Sequence, residues 1–123
     1  MTTGLILFAH GARDPRWAEP FERLREKVVR ARPGTPVRLA YLEQMRPDLD
    51  TAVDELLEIG CRVICIAPVF LGQGGHVRQD LPVLVQSVSS RHPEARIALA
   101  EAVGENDAVL DAVAAACLAV LTD

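Results

Sequence analysis

The chain has 123 residues, 50% of them hydrophobic, with 13 Lys+Arg against 17 Asp+Glu and a formal net charge of −4. Length and apolar content fit one folded domain over residues 1–123 and exclude a disordered chain. The acidic balance excludes broad nucleic-acid binding, which needs a basic surface, and no apolar run approaches the ~20 residues of a membrane span.

Gly4–Ala9 is too short for a secretory apolar region and follows no basic segment, so no leader is read there. Cys61, Cys65 and Cys117 are odd in number, form no CxxC pair and lie in apolar runs. They read as core residues of a chain kept in a reducing cytoplasm. Lys27 is the single lysine among the basic residues; arginine's planar fork suits carboxylates and phosphates.

Gly4-Leu-Ile-Leu-Phe-Ala9 is continuously apolar, which predicts a first strand buried on both faces. His10-Gly11-Ala12-Arg13 follows it. Asp14 and Pro15 then suit the cap and first position of a helix reaching about Arg32, with Trp17, Phe21, Leu24 and Val28 on one face. Val37–Leu42 alternates in part around Arg38, as expected of a strand near the sheet edge, and Glu43 follows directly. Pro47 opens a second helix through Leu49, Val53, Leu56 and Leu57, closed by Gly60. Arg62–Pro68 is a third apolar strand. Three glycines after it (Gly72, Gly74, Gly75) leave the backbone free for positive φ or for close approach to a ligand. A helical segment starts near His76 and runs to about Ser90, with a kink or short turn expected before Pro82. Arg96–Ala100 is a fourth strand. Asn106 or Glu105 caps a last helix over Asp107–Leu121, whose alanines suit core burial or close packing of another chain.

Four alternations of strand and helix predict a small doubly wound α/β fold: a four-stranded parallel sheet of order 2-1-3-4 with helices on both faces. In such sheets ligands bind beyond the carboxyl ends of the strands, where the order reverses. His10, Glu43 and His76 follow strands one, two and three, so the topology gathers three metal-binding groups on one rim. Two imidazoles and a carboxylate suit Co²⁺, Ni²⁺, Fe²⁺ or Zn²⁺ and leave coordination positions open. Asp80 is placed either to orient His76, four residues away on a helix, or to cap the helix that follows. His92 falls on the opposite rim and reads as a solvated surface residue, and Glu101 is a reserve candidate further from the switch point.

Nucleotide and hydrolase readings fail. Gly72-Gln-Gly74-Gly75 does not complete G-x-G-x-x-G, because Val77 stands where the last glycine would be. No G-K-[ST] and no G-x-S-x-G occurs.

Phe8-Ala-His10-Gly11-Ala12-Arg13-Asp14-Pro15, Tyr41-Leu42-Glu43, Pro68-Val-Phe-Leu71, Gly75-His76 and Asp80-Leu-Pro82 together resemble the short, single-domain sirohydrochlorin chelatases, in order and over essentially the whole chain. That family belongs to the class II chelatases, whose members insert a divalent metal into a tetrapyrrole in cobalamin, sirohaem or nickel-tetrapyrrole synthesis. The resemblance implies a chelatase-like fold, metal handling and catalysis by His10, His76 and Glu43, and no organic cofactor. It departs at Ala12, where serine is more usual. Because larger relatives contain two facing domains, it also implies a homodimer.

The tetrapyrrole is rich in carboxylates, so an acidic protein needs local cations. Arg13, Arg16, Arg46 and Arg78 are the candidate contacts, with Gly74 and Gly75 leaving room for the flat macrocycle. A metal carrier or sensor using the same three ligands is the rival reading. A histidine phosphatase is the weaker one, because its nucleophile motif needs an arginine where Ala9 stands.

Overall fold

The computed structural model describes residues 2–121, except the side chain of His76. Its strands β1 (Thr2–Ala9), β2 (Val37–Tyr41), β3 (Cys61–Pro68) and β4 (Arg96–Leu99) form one parallel sheet in the order β2-β1-β3-β4, as expected. The helices are α1 (Glu19–Ala31), α2 (Leu49–Glu58), α3 (Gly75–Arg91) and α4 (Asp107–Leu118).

Side chains alternate across each strand, so the two sheet faces take different helices. Ile6 and Phe8, Ala40, and Ile64 and Ile66 face α2 and α3, where they pack against Leu49, Val53, Leu56, Leu81, Val85 and Val88. Burial of each large aliphatic side chain in that layer contributes about 1.5–3 kcal/mol. Ala9, Leu39 and Tyr41 face the other way, against Trp17, Ala18 and Phe21. That second layer stops short. Val63, Cys65 and Ala67 of β3 are only half-buried, Ala98 of β4 is exposed, and α4 contains no buried residue. The last helix therefore does not complete the outer layer, which removes core burial as the reading of its alanines, and Cys117 is exposed rather than packed.

Local chemistry moved several element boundaries. Asp14 does cap the segment after β1, accepting from the Arg16 N–H at 3.0 Å, but Pro15–Ala18 forms a 3-10 turn. Pro20 has no N–H to give to the Arg16 carbonyl, which accepts from Glu19 instead, and the regular helix begins there. Pro47 does not open α2. The Arg46–Pro47 bond is cis, the Pro47 carbonyl accepts from the Tyr41 N–H, and Asp48 caps the helix by accepting from the Thr51 N–H at 2.9 Å. Gly60, at φ +100°, ends α2 as expected. α3 runs continuously through Pro82, so of the kink or short turn expected before it the separate turn is not formed. A 3-10 turn at Val103–Glu105 precedes α4, and the Asn106 side chain caps that helix through the Ala108 N–H.

Candidate functional site

The parallel register of β1 and β2 pairs Ala9 with Tyr41, and the pairing continues past the strand ends. Leu42 N–H donates to the Ala9 carbonyl and Glu43 N–H to the His10 carbonyl at 3.0 Å. This carries the two side chains to the same rim, where His10 Nε2 lies 3.0 Å from Glu43 Oε1. The geometry requires Gly11. Its φ is +96°, and a Cβ there would collide with the Glu43 carbonyl oxygen.

Glu43 is held by a rarer device. Its carbonyl accepts from the Met45 N–H at 2.8 Å across Gln44, which has φ +64°. A non-glycine residue in this region is uncommon, and such strain concentrates at functional sites. The edge of the His10 ring meets Phe70 at a centroid distance of 6.2 Å, and Phe70 itself rests on Phe8. Sequence reading missed Phe70 and Gln44. Phe70 carried a signal as the aromatic just past β3; the strained φ of Gln44 had none.

His10 and Glu43 open onto a cleft of about 400 Å³ whose other walls are Leu42, Val77, Asp80 and Leu81. The His10 side chain is 45% exposed and that of Glu43 53%, so both are reachable from solvent. His76 is the second residue of α3, whose Val77 and Asp80 wall this cleft; its side chain lies outside the described residues. Asp80 is the sixth residue of α3, which excludes it as a helix cap.

The predicted arginines divide. Arg13 and Arg46 share a neighbouring concavity of about 490 Å³ with Tyr41, Gln44 and Met45. Burial, then the charge of Glu22, raises the Tyr41 pKa above the ordinary phenol value, so its hydroxyl stays neutral there. Arg16 is engaged by Asp14 at 2.7 Å, and that pairing lowers the Asp14 pKa and raises its own. Arg78 reaches Glu105 at 3.4 Å, beyond β4 rather than over the His10 cleft. Glu101 also lies on that far side.

Neither Gly72, Gly74 nor Gly75 has a positive φ, so these glycines are not required by the turn. Among the described residues, chain neighbours aside, nothing lies within 4 Å of a Cβ built at any of them. His92 corrects the sequence reading outright. It is 8% exposed, on the opposite rim, with Nε2 3.2 Å from Asp50 and Nδ1 3.5 Å from Asp54 and 3.6 Å from Glu94. Carboxylates 42 and 38 positions away in sequence enclose it, which is why the local pattern suggested solvation.

The sequence matches the CbiX family over residues 4–118. It is 33% identical over 88 residues to a sirohydrochlorin cobaltochelatase of Methanocaldococcus jannaschii, over 72% of this chain and 62% of that one. Among solved structures, a cobalamin (vitamin B12) biosynthesis CbiX protein of Marinobacter aquaeolei superposes with a TM-score of 0.84 at 34% identity, over 94% of this chain and 93% of that one. SirB of Bacillus subtilis, solved with Fe³⁺, gives a TM-score of 0.74 at 25% identity, over 94% of this chain and 46% of that one. The match thus spans less than two thirds of the cobaltochelatase and about half of SirB. A family match over nearly the whole sequence agrees with the strand order, and the chain belongs to the CbiX family.

Proposed function

We propose that this protein is a sirohydrochlorin chelatase. It inserts a divalent metal, Co²⁺ foremost with Fe²⁺ or Ni²⁺ as alternatives, into the tetrapyrrole as half of a homodimeric cleft. The observation that carries the reading is the His10–Glu43 pair, 3.0 Å apart and open to solvent at the carboxyl end of the sheet. The cobaltochelatase name of one relative and the bound iron of SirB support the reaction class. About twice the matched length in SirB supports a second half supplied by a second copy. The free thiols of Cys61, Cys65 and Cys117 suit a reducing cytoplasm.

Insertion exchanges one divalent cation for two pyrrole N–H protons. His10 offers Nε2 to the incoming cation and Glu43 an oxygen, and His76 completes the set from the first turn of α3. As the metal passes to the ring nitrogens, these groups are released and take up the departing protons. Arg13 and Arg46 bind substrate carboxylates in the adjoining concavity. Gly74 and Gly75 leave the approach clear for the macrocycle, with Arg78 at its far edge.

Purified protein mixed anaerobically with sirohydrochlorin and Co²⁺ should give a metal-dependent change in the tetrapyrrole absorption spectrum. Parallel rates with Fe²⁺ and Ni²⁺ rank the metals. An undiminished rate after His10→Ala or His76→Ala would sink the mechanism. Tight metal binding without turnover would replace it by a metal carrier or sensor built on the same residues.

A further inference from the structure

Tyr41, the last residue of β2, is 5% exposed, and its ring lies beside that of Trp17 at a centroid distance of 6.4 Å. Among the described residues its hydroxyl has no hydrogen-bond partner. Yet no fully enclosed side-chain oxygen or nitrogen among them is left without one. The hydroxyl is therefore the tip by which this buried ring reaches open space. That space is the concavity of about 490 Å³ that it shares with Arg13, Gln44 and Arg46. A ring that served only to fill the layer against Ala18 and Phe21 would pack as well without the oxygen, whose desolvation costs free energy when nothing answers it.

The walls of the concavity supply charge of one sign. Among the described residues neither Arg13 nor Arg46 enters a salt bridge, whereas Arg16 is held by Asp14 at 2.7 Å and Arg38 lies 3.6 Å from Glu55. Glu22 also lines the space, so two guanidiniums face one carboxylate and leave a positive excess. The loops that build this wall are those that build the metal pair. Arg13 follows His10 by three residues, and Arg46 follows Glu43 by three. Gln44, at φ +64°, is the turn between Glu43 and the concavity. Cation-binding and anion-binding groups thus alternate along one continuous rim.

Resting on the chelatase reading above, we infer that Tyr41 is a specificity-determining residue: its hydroxyl donates a hydrogen bond to a carboxylate arm of the tetrapyrrole drawn into the concavity by Arg13 and Arg46. Burial and the charge of Glu22 keep the proton on the phenol, so the donor is present wherever the arm is ionised. The division of labour follows from exposure. Arg13 and Arg46 are exposed and attract any anion, whereas the Tyr41 ring is fixed between the sheet and Trp17. The hydroxyl sets where the carboxylate stops, and a hydrogen bond to a charged acceptor is stronger than one to a neutral acceptor.

Tyr41→Phe should raise KM for sirohydrochlorin about tenfold and leave kcat nearly unchanged, as loss of a contact made equally in ground and transition states requires. The dissociation constant of metal-free sirohydrochlorin, read by quenching of Trp17, the single tryptophan, should rise by the same factor. The urea unfolding midpoint should stay at or above that of wild type, because the oxygen has no partner within the protein. A tetrapyrrole whose peripheral carboxylates are converted to amides should bring the two proteins several-fold closer. The same ratio for both substrates would give the oxygen a purely structural role and overturn the inference. An unchanged KM and dissociation constant in Tyr41→Phe would overturn it and leave the chelatase reading standing. Wild-type protein that neither binds sirohydrochlorin nor inserts Co²⁺, Fe²⁺ or Ni²⁺ would overturn both.

Discussion

Two histidines with carboxylate partners stand at opposite ends of the same sheet, and their surroundings differ in kind. His10 meets the Glu43 carboxylate at 3.0 Å, and nearly half its side chain faces solvent. His92 meets three carboxylates, Asp50, Asp54 and Glu94, and its side chain is 10% exposed. Asp50 is further occupied by Arg91 at 3.0 Å. The His92 ring nitrogens face carboxylates on both sides within a nearly closed cluster, whereas the His10 ring is open to solvent. The far cluster fastens α2 to the end of α3. The near pair is held ready by Gly11 and by the strained Gln44, at a cost to local stability. Similar residue types are enclosed at one rim and open to solvent at the other.

The contrast is broken most directly by truncating each ring. His10→Ala should lower the rate of metal insertion by about 10²–10⁴ and shift stability by no more than about 0.5 kcal/mol, read by absorption kinetics and urea unfolding. His92→Ala should do the reverse. Leaving carboxylates without their partner should cost about 2 kcal/mol, with the rate per folded molecule unchanged; a wild-type unfolding midpoint would end the distinction.

Asp48→Ala tests the helix that carries Asp50 and Asp54, and should cost about 1 kcal/mol near neutral pH. The bonds from the Thr51 N–H and hydroxyl, followed by the charges of Arg46 and Arg91, hold the Asp48 pKa below the ordinary carboxylate value. Its contribution is therefore complete above the unfolded pKa and is lost as pH falls through the folded one. The difference between wild type and Asp48→Ala should vanish in acid, as unfolding midpoints measured across pH would report. The smallest effect belongs to Gln44→Gly. Relief of the left-handed conformation, offset by a looser unfolded chain, should change stability by only a few tenths of a kcal/mol. The rate should fall severalfold as Glu43 loses its fixed position, and an unchanged rate would mean that the Gln44 turn does not position Glu43.

The sheet order and the meeting of His10 with Glu43 could be read from sequence because both follow from local pattern and register. Apolar runs bounded by turn signals mark the strands, and parallel pairing then fixes which strand ends are neighbours. His92 was misread because two of its three partners, Asp50 and Asp54, come from α2, over 35 residues earlier, and Glu94 beside it does not report them. The glycines at 72, 74 and 75 suggested unusual backbone angles, yet Gly11 has one and these do not, since composition does not disclose φ. α4 was left with two readings for another reason. An alanine-rich helix that is apolar nearly all round gives no face to orient, so its pattern cannot tell its own core from a neighbour's surface.

Gly104 gives the molecule a shared joint. Its N–H is bonded to the Phe70 carbonyl, and the Phe70 ring touches His10, while the same turn launches α4. The aromatic ring beside His10 and the turn that leads into α4 thus hang from a single peptide. A side chain introduced there would strike the Leu71 carbonyl and displace either that loop or the turn. On the homodimeric cleft proposed above, diluting the protein until the two copies separate should lower the rate per chain, so that specific activity becomes a property of concentration.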